Sequence, residues 1–422
     1  MAVRPFSIGW LLVLVVSAAG LLPAGSEGAV TRLDRNGTVI VDGRKVFPIV
    51  LSKGPERGST TPWGADALWE IAEAGVNFVR VGPSTAWTGA DIADAIAWNR
   101  EAAVRGLYTW VNLSSLSRAQ PGTWRAALLR KVIAALERDP SSVALGMWKG
   151  ADEPWRYRTT IPSLRFAYCV ATSRGDRRWC EGKPPADSDH LWVTVQPARG
   201  SGPELARYSR VTDVHGINHY PVSLGNPDPK LDEVGRWTDI LSWATPSRSV
   251  WTTLGICWRW SYDDYGNVAL PTRREQRYMV YDAIVNGARS LAFYGGNVAK
   301  CWNAADAKHG WSWTYWREVL EPLVREIGAI SPIAPALVSP GTTQVLQTSD
   351  PSVQAISRRG AGGELWVIAT RSGEGTQPVT ITGLPPSGPS GDVYTEGRSV
   401  SVAGGSFADT FARWDVHVYR FG

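Results

Sequence analysis

The sequence predicts an α/β protein, a (β/α)8 TIM barrel followed by a small all-β C-terminal sandwich domain. The first observation is that eight short apolar strand patterns alternate with helical patterns between residues 47 and 330. The second is a Pro-rich segment near residue 333, after which short strand patterns follow one another without helices. The third is length, because a mature chain of about 390 residues exceeds one average domain and accommodates a barrel plus a smaller domain.

The first segment, residues 1–29, has the pattern of a secretory signal peptide. A basic start at Arg4 precedes an apolar run at 11–22 and a stretch of small residues. A retained membrane anchor is the alternative, but the run is shorter than the roughly 20 apolar residues that a membrane span needs. We therefore expect an extracellular or periplasmic protein without stable membrane insertion, divided into residues 1–29, a barrel at 30–332 and a sandwich at 333–422.

The barrel begins after a hairpin at 39–47, in which Asp-Gly forms the turn. The eight predicted strands span 47–52, 76–82, 107–114, 143–151, 191–197, 213–221, 249–258 and 290–296. The predicted helices span 65–75, 90–106, 123–139, 230–244, 271–288 and 316–330, and several end in Gly. A doubly wound open sheet is the alternative, but the loop after strand one lacks the G-x-G-x-x-G spacing common in that fold.

The predicted sandwich contains six strands rich in β-branched and aromatic residues. They span 353–359, 364–371, 377–384, 391–397, 399–405 and 416–422, with turns of Gly, Pro and Ser between them.

Charge and cysteine content narrow the class of partner. The net charge of +5 is spread along the chain without a Lys/Arg block, so we expect no nucleic-acid partner. The four cysteines of an exported protein favour disulfides, and we predict Cys169–Cys180 and Cys257–Cys301, although three connectivities are possible. With no C-x-x-C motif and only five histidines, we expect no metal and no cofactor. The oligomeric state is left open.

Tryptophan is unusually abundant, with 22 residues, many of them in polar loops. Flat apolar rings in such loops are surfaces on which sugar rings stack, and they are also surfaces that pack loops together. Composition alone does not separate the two interpretations.

The active site of such a barrel lies at the C-terminal ends of its strands. Glu153 follows strand four between Trp148 and Trp155, where partial loss of water favours the protonated form that a general acid needs. A solvated turn acid is the alternative, which we consider weaker at this place in a barrel. Arg80, on strand two, is placed either to brace a catalytic acid or to form an ordinary ion pair.

Other polar and aromatic residues at the strand ends are candidates for substrate binding. They are Trp110, Asn112, Trp148, Trp155, Gln196, Arg199, His219, Tyr220, Trp258, Trp260 and Tyr294. For each of them, packing of the strand end or a polar rim position is the alternative.

Several stretches resemble glycoside hydrolases. GMWKGADEPW (146–155) is similar to the strand-four motif of clan A enzymes, in which an Asn-Glu-Pro tripeptide carries the acid/base glutamate, with Asp152 here in place of Asn. VIVDGRKVFPIVLS (39–52) and GVNFVRVGP (75–83) resemble the barrel entry and second strand of family 2 and family 42 β-glycosidase-like enzymes, and FARWDVHVYRFG (411–422) resembles the last strands of their accessory sandwich. The resemblance implies hydrolysis of a poly- or oligosaccharide with Glu153 as general acid.

One departure from the resemblance concerns the second carboxylate. Clan A enzymes carry a nucleophilic glutamate at the end of strand seven, whereas SVWTTLGICWRW (249–260) contains no acid. Asp263 or Asp264 would serve as the base of an inverting enzyme, whose carboxyl groups lie roughly 6.5–9.5 Å apart. Asp213 is a weaker option at the start of strand six.

Three further interpretations remain open. Asp152 resembles the aspartate that steadies the substrate's acetamido group in substrate-assisted hexosaminidases, and it shares a site with Glu153 only if the strand has already turned. The chain is alternatively a catalytically inactive carbohydrate-binding barrel or a structural protein of the cell envelope. A shifted register of strand seven would also change the assignment, although the next glutamate, Glu275, lies in a predicted helix.

Overall fold

The computed structural model describes residues 28–172, 174–180, 182–246, 248–341, 344–385 and 388–422. Apart from residues 28 and 29, the predicted signal peptide lies outside these residues. No helix among them is both long enough and apolar enough to cross a membrane.

The eight predicted barrel strands form one closed parallel barrel in chain order, which confirms the predicted fold. Consecutive strands pair with each other, and the last pairs with the first. The strands are β4 (Ile49–Leu51), β5 (Phe78–Val81), β6 (Tyr108–Asn112), β7 (Leu145–Asp152), β8 (Leu191–Pro197), β9 (Val214–His219), β10 (Ser249–Gly255) and β11 (Ser290–Tyr294).

Helices surround the barrel and include every helix that the sequence predicts. They are α1 (Ala67–Ala74), α2 (Gly89–Val104), α3 (Trp124–Arg138), α4 (Ile161–Ala171), α5 (Gly202–Ala206), α6 (Glu233–Ala244), α7 (Arg273–Val285), α8 (Ala304–His309), α9 (Trp313–Tyr315), α10 (Glu321–Ile327) and α11 (Ala334–Leu337). The helix predicted at 316–330 is interrupted, because Trp316–Leu320 is π-helical before α10. Pro322 lacks the N–H that would continue an α-helical hydrogen-bond ladder at this point.

A small antiparallel sheet lies at the N-terminal end of the barrel. It consists of β1 (Thr31–Leu33), β2 (Val39–Val41) and β3 (Arg44–Val46). The predicted Asp-Gly turn joins β2 and β3, with positive φ at both Asp42 and Gly43. Val39 and Val41 pack into the same apolar cluster as the barrel interior, so this sheet closes the bottom of the barrel.

Bulky side chains fill the barrel interior and support the strand ends above them. Trp110 and Trp251 are fully buried there and stack with ring centroids 4.8 Å apart. Phe78 and Met147 belong to the same cluster. The interior is therefore a packed core, and any site must lie above these rings.

Two antiparallel sheets follow the barrel and form the predicted sandwich. One contains β12 (Gln347–Thr348), β15 (Thr376–Thr382) and β18 (Ser406–Ala412). The other contains β13 (Val353–Arg359), β14 (Leu365–Arg371), β19 (Val416–Phe421), β16 (Ser390–Val393) and β17 (Arg398–Ser401), in that spatial order.

The larger sheet also contacts the barrel through α7. Tyr278 packs against Trp414 with ring centroids 4.7 Å apart. Arg277 donates a hydrogen bond to the backbone oxygen of Val416 at 2.7 Å and forms an ion pair with Glu326 at 2.8 Å. The sandwich is therefore fastened to the helical layer, and an ion pair of Arg413 with Asp228 at 2.7 Å also joins it to the loop between β9 and α6.

Both predicted disulfides are confirmed. Cys169 is bonded to Cys180, which joins α4 to the loop after it, and Cys257 is bonded to Cys301, which joins the segments that follow β10 and β11.

Candidate active site

The end of β7 turns so that two adjacent acids lie on one side of the barrel mouth. The pairing register between β7 and β8 shifts between Lys149 and Asp152, where the strand carries a bulge. Asp152 then pairs with Val195, and Glu153 donates its backbone N–H to the oxygen of the same Val195 at 2.7 Å. Glu153 has a φ of 45°, a left-handed conformation that is costly for a residue with a side chain.

Asp152 forms the negative end of an ion pair whose positive end is buried, while 42% of the Asp152 side chain is exposed. The Lys149 ammonium is almost fully buried and lies 2.8 Å from Asp152 Oδ2 and 5.5 Å from the centre of the Trp110 ring below it. Desolvation opposes ionisation of Asp152, but the positive charges of Lys149 and Arg80 outweigh it and hold the pKa of Asp152 below its ordinary value. Asp152 is therefore ionised near neutral pH.

Lys149 has an altered proton affinity of its own. Burial lowers the pKa of Lys149 to about 8, although Asp152 acts in the opposite direction by stabilising the ammonium. Arg80 reaches the same region from β5 and donates hydrogen bonds to the hydroxyls of Ser52 and Ser84, each at 3.4 Å.

Glu153 is held on two sides by neighbouring side chains. Asn218, from the end of β9, donates a hydrogen bond to Glu153 Oε1 at 3.3 Å. Arg156 contacts Glu153 Oε2 at 3.1 Å, and 17% of the Glu153 side chain is exposed. The carboxyl group is thus oriented at the mouth while part of it stays open to a ligand.

Aromatic rings occupy the strand-seven position where the resemblance would place a second acid. The last residue of β10 is Gly255, and a Cβ added there would lie 3.1 Å from the ring of Tyr220. Tyr220 and Tyr294 stack nearly parallel, with centroids 5.7 Å apart, and Trp258 meets the Tyr220 ring edge-on. Burial, together with the nearby charges of Asp152 and Glu153, raises the pKa of Tyr220 well above its usual value. The pKa of Tyr294 is raised as well, chiefly by burial, so both hydroxyls are neutral at physiological pH.

Two side chains at the ends of β8 and β9 carry unused polar atoms. Gln196 is fully buried, and its Oε1 accepts a hydrogen bond from the backbone N–H of Trp155 at 3.3 Å. Its Nε2 has no hydrogen-bond partner among the described residues, and the same holds for His219 Nε2. Burial lowers the pKa of His219 to about 4, so its imidazole is neutral at physiological pH.

Asp263 and Asp264 lie in an exposed loop beyond β10. Asp263 accepts hydrogen bonds from the backbone N–H groups of Tyr265 and Asn267 and from the Asn267 side chain, so its carboxylate holds the loop together. Asp264 is 93% exposed and lies 3.9 Å from Lys300. Neither makes a hydrogen bond or an ion pair with Glu153 among the described residues.

Three further candidates are buried and form hydrogen bonds within the fold. Trp148 is fully buried between barrel and helices, where its Nε1 donates to Asp187 at 2.5 Å. Asn112 is buried and donates to the backbone oxygen of Pro83 at 2.6 Å. Asp213 accepts hydrogen bonds from the Tyr168 hydroxyl and the backbone N–H of Trp192 at the bottom of the barrel.

The remaining candidates lie on the outer rim. Trp260 is 59% exposed and stacks with Arg259, whose guanidinium carbon lies 5.1 Å from the ring centre. Trp155 and Arg199 line one groove beside the loop that follows β7. The structure thus brings together Asp152, Glu153, Tyr220 and Tyr294, with Trp258 packed against Tyr220, and leaves the other candidates outside this group.

Sequence reasoning gave no role to two groups that the structure assembles. Arg156 contacts Glu153, and its spacing of three residues was the available signal. At the bottom of the barrel, His190 Nδ1 lies 2.8 Å from Glu137 and 3.1 Å from Asp187, a grouping of metal-ligand residue types that no spacing in the sequence reveals. Because His190 carries a charge that both acids balance, this group is accounted for as a buried ion cluster.

No protein-family model matches the sequence, and no curated protein matches it either. Several solved structures are similar in fold. One described as a glycoside hydrolase has a TM-score of 0.59 at 13% identity, covering 94% of this chain and 96% of its own. A glycoside hydrolase family 5 protein from Bacteroides vulgatus has a TM-score of 0.57 at 13% identity, covering 93% of each chain.

A GH51 arabinofuranosidase from Xanthomonas axonopodis pv. citri is similar at a TM-score of 0.53 and 10% identity, covering 94% of this chain and 99% of its own. At such identities the likeness concerns the fold. This chain therefore shares its overall fold with these glycoside hydrolases.

Proposed function

We propose that the protein is an exported glycoside hydrolase that cleaves a poly- or oligosaccharide with Glu153 as its general acid. The observation that carries the proposal is the placement of Glu153, which is held by Asn218 and Arg156 in a left-handed conformation at the end of β7. Backbone strain of this kind persists only where the surroundings enforce it, and it concentrates at functional sites. The predicted signal peptide and the two disulfides support export.

Asp152 is the second carboxylate of this proposal. The bulge brings it to the same side as Glu153, and Lys149 and Arg80 keep it negatively charged. As the bond between the anomeric carbon and the leaving oxygen breaks, Glu153 gives its proton to that oxygen, and Asp152 stabilises the positive charge that develops on the sugar. Water then adds to the anomeric carbon and returns a proton to Glu153.

This proposal differs from the sequence-based expectation that Asp263 or Asp264, on the loop after β10, acts as the base of an inverting enzyme. The Asp263 carboxylate already holds its own loop, and Asp264 projects into solvent. Within the described ranges, neither has a hydrogen-bond or ion-pair partner on the barrel strands.

One observation favours a second candidate, a barrel that binds glycan without cleaving it. Tyr220 packs over Gly255, so aromatic rings line the side of the mouth at β10, and β10 itself contains no carboxylate. Rings with neutral hydroxyls suit the binding of a sugar as well as its hydrolysis.

The deciding experiment measures release of reducing sugar from a panel of glycans. We expect the wild type to cleave at least one, and Glu153→Gln to lose about 10²–10⁴-fold in rate, as expected for removal of a general acid. Asp239→Asn, which changes an exposed carboxylate on α6, is the matched control and should leave the rate unchanged. Equal cleavage by wild type and Glu153→Gln would eliminate the acid assignment, whereas binding without cleavage by both would support the binding barrel.

A further inference from the structure

Two grooves flank the loop 154–160, which follows Glu153. The strand-five groove has a volume of about 640 Å³ and lies between this loop and residues 199–208. The strand-three groove has a volume of about 330 Å³ and lies between the same loop and residues 118–125. Arg158, Thr159 and Thr160 line both, so the loop forms the ridge between them.

Arginine is the only charged residue type in the described lining of the two grooves. The arginines are Arg118, Arg125, Arg156, Arg158, Arg199 and Arg207. Arg156 is in an ion pair with Glu153. The other five form no ion pair with any described residue, since Arg118 and Arg125 instead lie over the rings of Tyr157 and Trp124. Glu204 lies close enough to Arg207 to interact with its charge, and Arg156 pairs with Glu153, so the other four arginines carry the positive charge that the described residues leave unbalanced.

The backbone strengthens this preference for anions in the strand-three groove. Thr123 caps the 15-residue helix α3, and Thr160 caps the 11-residue helix α4. Both caps line the groove, so two helix N-termini, each with partial positive charge, lie beside Arg118, Arg125 and Arg158.

The chemistry of these side chains selects the kind of anion. A guanidinium presents two parallel N–H donors that match the paired oxygens of a carboxylate or a sulfate. Trp155 in the strand-five groove and the exposed Tyr157 in the strand-three groove add flat ring surfaces of the kind on which sugars stack. Because Arg156 contacts both Glu153 and the strand-five groove, a chain lying in that groove passes next to the acid.

We propose that the two arginine-lined grooves bind the acidic groups of an anionic polysaccharide whose glycosidic bond lies at Glu153. The inference rests on the proposed glycan hydrolase and adds the substrate class, a glycan that bears carboxylate or sulfate groups. The ridge would separate two successive acidic residues of the glycan.

The test measures binding by calorimetry with Glu153→Gln, so that no probe is consumed. The probes are oligomers of polygalacturonate, alginate and hyaluronan, the same oligomers after reduction of their carboxyl groups, and dextran sulfate. We expect at least one acidic probe to bind, its affinity to fall as salt is raised, and its carboxyl-reduced form to bind at least tenfold more weakly if carboxylate is the recognised group. Binding of dextran sulfate alone would identify sulfate.

Variants establish that the arginines are responsible. Added to Glu153→Gln, the pair Arg158→Gln and Arg199→Gln should weaken the acidic probe at least tenfold, whereas Arg325→Gln, an exposed arginine on α10, should leave it unchanged. Arg199→Lys with Arg158 intact keeps the charge but loses the paired donors, so its affinity should lie between those of Glu153→Gln and of the variant that lacks both arginines.

Several results would overturn the inference. The first is that no acidic probe binds in a way that depends on the arginines. The second is that Arg325→Gln weakens the acidic probe as much as the loss of Arg158 and Arg199 does. The third is that an oligothymidylate of matched charge binds as tightly as the acidic glycan. The two proposals fail separately. Arginine-dependent binding of an acidic glycan that the wild type does not cleave would leave this inference standing and remove the hydrolase. Cleavage of a neutral glycan without binding of acidic ones would support the hydrolase and remove this inference.

Discussion

Lys149 determines the charge at the centre of the candidate site. It is buried above the Trp110 ring, and its ammonium is within hydrogen-bonding distance of Asp152. A buried lysine stays protonated only beside a negative group, and its positive charge in turn favours the ionised form of that group. The ammonium therefore keeps Asp152 ionised, and this carboxylate is the negative group that the proposed mechanism needs beside Glu153.

Replacing Lys149 should move the acid limb of the pH–rate profile. In Lys149→Met the pKa of Asp152 should rise. Desolvation raises this pKa, and the substitution removes the ammonium that lowers it. Since ionised Asp152 is the active form in the proposal, activity should be lost at a higher pH than in the wild type. The measurement is kcat/KM against pH on a glycan that the wild type cleaves.

Lys149→Arg keeps the positive charge and is the control. An acid limb at the same pH in Lys149→Met and in the wild type would remove Asp152 from the mechanism.

Glu153 shows which part of the site could be predicted from residues alone. The Glu-Pro pair after an apolar strand predicted an acid at the barrel mouth, and the position of the acid is as expected. Its left-handed φ could not be read from the sequence. Because Pro154 disfavours the right-handed α conformation of the residue before it, the chain has to turn at Glu153 in another way.

The bulge in β7 is the element that brings the two acids together. Gly150 lies within it, and a Cβ at this position would collide with the indole nitrogen of Trp192 on the neighbouring strand. The strand can therefore shift its register only because residue 150 has no side chain. Adjacent residues of a regular strand would point to opposite faces.

Gly150→Ala should therefore destabilise the protein and disturb the site together. Forcing a methyl group against Trp192 should lower the free energy of unfolding by about 1–3 kcal/mol. Urea denaturation measures this change, and the rate of glycan cleavage should fall because Asp152 and Glu153 depend on the same bulge.

Gly89→Ala is the matched control, because a Cβ there meets nothing within 4 Å at the start of α2. It should be stabilising, by about 0.4–1 kcal/mol. Equal stability of Gly150→Ala and the wild type would show that the contact with Trp192 does not shape the strand.

The sandwich strands show where a sequence pattern stops being informative. β18 was not predicted, because Asp409 interrupts the apolar alternation between Phe407 and Phe411. The structure explains this polar residue, since Asp409 accepts hydrogen bonds from Arg398 and Tyr419. β14 was predicted, but its burial on both faces depends on α7, which is distant in the sequence.

The two ends of the barrel have different functions in the molecule as a whole. The mouth carries strained backbone and partly exposed acids. The bottom carries the ion cluster of Glu137, Asp187 and His190, all buried or nearly so. Burial alone would lower the pKa of His190, but hydrogen bonds from its ring to Asp187 and Glu137 outweigh burial and raise that pKa to about 10. The charges at the bottom of the barrel are therefore expected to contribute to stability.

Stability should depend on this histidine at alkaline pH. The pKa of His190 is higher in the folded than in the unfolded chain, where it is near 6.5. The contribution of His190 is therefore fully present below about pH 6.5 and is lost as the pH rises through about 10. Urea denaturation between pH 6 and 10 should show a steeper loss of unfolding free energy for the wild type than for His190→Gln.

An independent measurement uses the folded wild type alone. The His190 imidazole should give the NMR shift of the protonated ring at pH 8. A neutral ring at that pH, or equal slopes for the wild type and His190→Gln, would contradict the assignment.

Which parts of the site could be predicted depends on how far apart in the sequence the contacting residues lie. Residues at strand ends were predicted because the barrel itself determines where strands end. Tyr220 over Gly255, Asn218 against Glu153 and the assembled arginines involve residues far apart in sequence, and only the closed barrel brings them together.

The most direct test of Glu153 as the proton donor is the dependence of its loss on the leaving group. The loss of kcat/KM from wild type to Glu153→Gln is measured on two substrates. The first is a glycan that the wild type cleaves, and the second is an aryl glycoside of the same sugar whose phenol leaves without protonation. We predict a loss of about 10²–10⁴-fold on the glycan and a much smaller loss on the aryl glycoside, because only the first needs an acid. An equal loss on both substrates would contradict the claim that Glu153 donates the proton.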